Sequence, residues 1–133
     1  MKTALAWAVR LIPAVIIGQT LPFKFSGHPE SVALFSDLST AVTGDASLEA
    51  ALRIGTGVME AITVILLLIP KQSIKGALLV VGTMGGALAS HVLFIGFDGH
   101  VPLATMAVIA LLCSAYDLSQ RKMEILKLFR RLK

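Results

Sequence analysis

Five side chains in an otherwise oily chain have types and spacing that could do chemistry: Arg10, Gln19, Arg53, Glu60 and His91. Each falls inside a long apolar run, where a central charge costs roughly 2.5–3.5 kcal/mol on insertion scales. Glu60 sits at the middle of its run. Arg10 lies about 5 Å from the middle of another, at 1.5 Å of rise per helical residue. Equal depth predicts a buried Arg10–Glu60 ion pair, and a protonated Glu60 is the other way to keep a carboxyl out of water. Gln19, Arg53 and His91 fall about 8–11 Å toward one face on three different runs. Three hydrogen-bonding groups at one depth make a candidate tier for binding a small lipophilic, quinone-like molecule. Structural glue between helices is the competing role for all five. Arg53 and Glu60 share a helix face two turns apart, and Arg53 leans toward the N-terminus, so it needs another partner or a ligand. Arg10 and Gln19 point to opposite sides unless Pro13 bends the helix between them.

The elements that must position these groups are four apolar stretches: Ala4–Phe23, Ala51–Ile69, Ile74–Ile95 and Pro102–Ser119. The 133 residues are 56% hydrophobic, with mean hydropathy +0.82. About 20 helical residues cross a hydrocarbon core of roughly 30 Å, and helices satisfy their own backbone there. The expected fold is all-α: a four-helix transmembrane bundle over residues 1–120, followed by a basic interfacial tail over 121–133. Pro13 and Pro22 predict a kink or an early end in the first span. Ser73 suits the cap of the third, Gly96 its close, and Pro102 the first turn of the fourth. Pro29–Thr40 reads as a short amphipathic helix outside the spans, with Val32, Phe35 and Leu38 on one face. Lys122–Lys133 reads as a second one. Gly82, Gly86 and Ser90 recur every four residues, a pattern for close helix packing, and make the third span the expected most buried helix.

Charge gives orientation. Net charge is +4, and the tail from Arg121 carries six basic groups against Glu124. An excess placed directly after a span suits anionic lipid headgroups rather than nucleic acid. Lys71 and Lys75 between spans two and three join the tail on the expected cytoplasmic side, which puts both termini inside. The first span is expected to be retained, because Arg10 interrupts it and no A-x-A-like cleavage site follows. Cys113 is alone, so an internal disulfide or a CxxC pair is excluded. His91 is the one histidine within a span, so neither bis-histidine haem nor a bound metal is expected. The sequence carries no P-loop, dinucleotide fingerprint or nucleophile elbow. A proton pathway through Glu60 in a homo-oligomer, and a subunit role beside other membrane proteins, complete the readings.

Arg10 is followed by Phe25-Ser26-Gly27-His28-Pro29-Glu30-Ser31-Val32-Ala33-Leu34-Phe35, then Gly57-Val58-Met59-Glu60 and Leu67-Leu68-Ile69-Pro70. Gly76-Ala77, Met84-Gly85-Gly86-Ala87 and Ser90-His91 complete the set. In this order and spacing the chain resembles the DoxX and DoxX-like family of small four-helix membrane proteins over residues 8–120. The resemblance implies a four-helix bundle in the bacterial plasma membrane and a link to redox biology, through a subunit associated with thiosulfate-to-quinone electron transfer. It also implies that Arg10, Glu60 and His91 mark the family site. The chain differs from that pattern in its polar Ser39–Ser47 loop, its cationic tail and its lack of a thiol pair.

Overall fold

The computed structural model describes residues 2–133, and every element described is helical. In chain order these are α1 (Thr3–Gly18), α2 (Leu21–Ser26), α3 (Pro29–Thr43), α4 (Glu49–Leu68), α5 (Ser73–Ser90), α6 (Val101–Gln120) and α7 (Lys122–Arg131). A 3-10 turn at Pro70–Gln72 precedes α5, and a π turn at His91–Ile95 extends it. Four stretches are long and apolar enough to cross a membrane: Thr3–Ser26, Glu49–Leu68, Pro70–Ile95 and Val101–Gln120. The all-helical class and the four spans agree with the sequence reading.

Local chemistry sets the boundaries. α1 runs through Pro13 and ends at Gly18, where the Thr20 hydroxyl donates to the Ile17 carbonyl at 2.8 Å. Pro22 then falls in the first turn of α2, where its missing N–H has no helical partner to lose. Gly27 closes α2 with φ +69°, a left-handed conformation that favours glycine. α3 begins at Pro29 as expected but continues to Thr43. Ser39 is the reason: its hydroxyl donates to the Asp45 carbonyl at 2.7 Å and accepts from Leu48 N–H at 3.0 Å, so the polar loop folds back on the helix. Hydrogen bonds from the Ser47 side chain and backbone hold the Asp45 carboxyl below its usual value. Ser73 is the first residue of α5 rather than its cap; its hydroxyl donates to the Pro70 carbonyl at 2.9 Å.

The spans form a ring. α5 packs on α4 and α6, α1 packs on the same two from the opposite side, and α3 leans on α4 and the π turn at one end. Ile17, Leu67, Ala77, Val80, Met84 and Ala110 form the heart of the core. Outward faces are apolar too: Val15, Ile65, Val92, Leu93 and Leu112 are each more than half exposed. A surface of this kind suits lipid, since soluble monomers rarely show large contiguous apolar patches.

The third span is the most buried, as expected: α5 holds six buried residues (Ser73, Ile74, Gly76, Ala77, Val80 and Met84), more than any other helix described. The expectation about its small residues is corrected. A Cβ built on Gly82 or Gly86 meets nothing within 4 Å, so these glycines do not bring helices together. Small residues permit close approach only where a second helix lies opposite, and here the Gly82–Gly86–Ser90 stripe faces open space. The close approach is made by Gly76, where a Cβ would stand 2.7 Å from Leu67 N and 3.0 Å from Leu66 C. That contact lets α4 and α5 converge at the Pro70 turn.

Candidate functional site

A cavity of about 760 Å³ lies between the four spans at the α3 end. Leu34, Phe35 and Leu38 of α3 roof it; Phe23, Met59, Leu103 and Met106 contribute apolar wall. The Gly82–Gly86–Ser90 stripe forms another side, which accounts for the open space above those glycines. The size lies within the ~300–1,000 Å³ typical of small-molecule sites.

Its polar end is built by α1, α2 and α4. Lys24 Nζ lies 2.7 Å from Glu60 Oε2 and donates to the Thr20 hydroxyl at 2.8 Å. Thr20 Oγ1 is itself 3.4 Å from Glu60 Oε2. All three residues line the cavity, and Glu60 is only 5% exposed. An ammonium carries three donors; two are used here, and the third is left for whatever occupies the space.

The expected Arg10–Glu60 pair is therefore not formed, and Lys24 takes that place. The cause is depth. The first span runs on past Gly18 to Ser26, and its α2 end lies against α4, where the absent side chain of Gly57 leaves room. A Cβ there would meet the Phe25 ring at 3.1 Å and Lys24 Cβ at 3.6 Å. Thr20 is thus level with Glu60, and ten helical residues place Arg10 about 15 Å further toward the α7 end. Arg10 instead stands over the Trp7 ring at 5.9 Å, with its buried Nε unpartnered among the described residues.

Arg53 leaves the expected binding tier as well. Its Nε donates to Glu49 Oε1 at 2.5 Å, one turn earlier on α4, and a terminal nitrogen donates to the Lys24 carbonyl. The lean toward the N-terminus carries its guanidinium away from the cavity and onto the end of α2. Its role is positional: it holds the backbone of the residue that pairs with Glu60.

Gln19 and His91 do line the cavity. Gln19 Nε2 lies 3.0 Å from Met106 Sδ, a weak acceptor, and links α1 to α6. His91 Nδ1 donates to the Ala87 carbonyl at 2.8 Å, because a carbonyl can only accept. Its ring stacks on Phe97 at 5.6 Å and meets His100 edge-on at 5.5 Å, while Nε2 is buried without a partner among the described residues. The π turn starts at this residue, with Gly96 N–H bonded to the His91 carbonyl at 2.7 Å. Such bulges break the regular ladder and frequently accompany functional sites.

Sequence reasoning missed Lys24 and Thr20. Ending the first span at Phe23 placed Lys24 in water, where a lysine needs no partner. The available signal was the four-residue spacing of Thr20 and Lys24, which puts them on one helix face in a stretch that stays apolar to Phe25. Comparison of this chain with protein-family models, with curated proteins and with solved structures gives no match.

Proposed function

We propose that this is a DoxX-like, multi-pass protein of the bacterial plasma membrane that holds a small lipophilic molecule in the bundle, in a redox-associated role. The ligand class is a flat, quinone-like headgroup on an apolar tail. One observation carries the reading: the cavity of about 760 Å³ is apolar over most of its wall and ends at the buried Lys24–Glu60 pair. Lys24 supplies the donor for a headgroup carbonyl, with Thr20 and Gln19 beside it, and α3 covers one side of the space. The family part rests on the sequence motifs from Arg10 to His91. The cationic tail and the Lys71–Lys75 turn support placing both termini in the cytoplasm, with the cavity toward the outer face.

Thermal unfolding of the detergent-solubilised chain tests this. A short-chain quinone should raise the transition progressively, by about 2.7 kcal/mol of added stability at a hundredfold excess over Kd. An alkyl chain of the same length without the ring should raise it less. If neither compound moves the transition, the ligand reading falls and a non-catalytic subunit of a larger membrane complex becomes the better account.

A further inference from the structure

At the opposite end of the bundle, Lys71 of the Pro70–Gln72 turn and Lys75 of α5 face Lys127 and Arg131 of α7 across a cleft of about 230 Å³. Ile74 and Leu128 form its apolar base, and Glu124 is the one carboxylate lining it among the described residues. Glu124 is already committed, with Oε2 3.1 Å from an Arg121 nitrogen. Lys127 and Arg131 are four apart on one helix, and like charges at that spacing repel. With two further lysines across the cleft, four exposed cations surround one space and favour an anion there.

The arrangement is held in place. Arg121, at the junction of α6 and α7, donates to Ser73 Oγ at 2.8 Å and stands 3.4 Å from Asp117 Oδ2. Those contacts tie the start of α7 to the start of α5, so the two cationic pairs keep their register. The rest of α7 shows what surrounds the cleft. Met123, Leu126, Phe129 and Leu132 are each more than half exposed, an apolar face with nothing of this chain covering it. A short helix with a basic side and an apolar side belongs at the headgroup–acyl boundary.

We infer that this cleft is a binding site for an anionic phospholipid carrying two phosphates, one for each cationic pair, at the headgroup height that the apolar face of α7 sets. Met123, Leu126 and Phe129 lie round α7 from Lys127 and Arg131, so their burial among acyl chains brings the cleft to the headgroup layer, where lipid phosphates are concentrated. Basic pockets beside transmembrane helices are suited to such headgroups.

The test uses the full chain in detergent with equal amounts of cardiolipin, phosphatidylglycerol and phosphatidylcholine, read by native mass spectrometry. Cardiolipin should be retained over phosphatidylglycerol. The double variant Lys127→Gln/Arg131→Gln should lose retention by about thirtyfold, the worth of two cations at an anionic headgroup. Lys122→Gln/Arg130→Gln removes the same charge from outside the cleft and should change retention by about twofold or less. Equal loss in the two variants would reduce the effect to diffuse attraction and overturn the site. Equal retention of phosphatidylglycerol, or full displacement of cardiolipin by inorganic pyrophosphate at matched concentration, would overturn the lipid assignment.

Discussion

Lys24 and Glu60 are opposite charges held out of water, and removing either leaves the other without a counter-charge. Replacing Glu60 by Gln should therefore destabilise the protein by about 3–5 kcal/mol, the usual cost of breaking a buried pair from one side. The apolar double variant Lys24→Met/Glu60→Leu should recover most of that loss, because the desolvation of both charges disappears with them. Arg10→Gln should cost only about 0.5–1 kcal/mol, the scale of its contact with Trp7. Thermal unfolding in detergent checks all three. A large loss in Arg10→Gln with a small one in Glu60→Gln would restore the pairing that depth alone suggested. Arg53 acts one step back, through the Lys24 carbonyl, and so belongs to the support of the site.

Between elements, two kinds of glycine divide the work. Gly76 is a packing residue, because an added Cβ would meet the α4 backbone at 2.7 Å and backbone cannot swing aside as a side chain does. Gly76→Ala should cost about 1–3 kcal/mol through overpacking. Gly82 and Gly86 border the cavity with no atom in the way, so alanine at either should gain about 0.5–1 kcal/mol from helix propensity. Gly86→Leu should keep the fold while filling the cavity and weakening the quinone-dependent rise in the unfolding temperature. Unfolding curves with and without the quinone separate these outcomes. A large destabilisation by Gly86→Ala would make the stripe a packing surface after all. The short helix α2 matters for the same reason: it packs against Gly57, and that contact keeps Lys24 beside α4.

For the molecule as a whole, the two ends differ in character. One carries the α3 roof and the cavity, the other the Pro70 turn, α7 and the basic cleft. In a Cys113→Ala background, cysteine at Asp45 or Asp98 should react with an impermeant thiol reagent added outside intact cells. Cysteine at Lys71 should react only after the membrane is opened. Labelling of position 71 from outside would reverse the proposed orientation. The four spans, the two extra helices and the cationic character of the α7 end follow from residue order, because hydropathy, proline positions and local charge act within a few turns of chain. Gln19, Glu60 and His91 could likewise be picked out as expensive polar groups in apolar surroundings. Their partners could not be, for pairing depends on the relative height and tilt of helices that sequence distance does not encode. The run of the first span to Ser26, the room left by Gly57 and the convergence at Gly76 set those heights, and together they gave Glu60 to Lys24 rather than to Arg10.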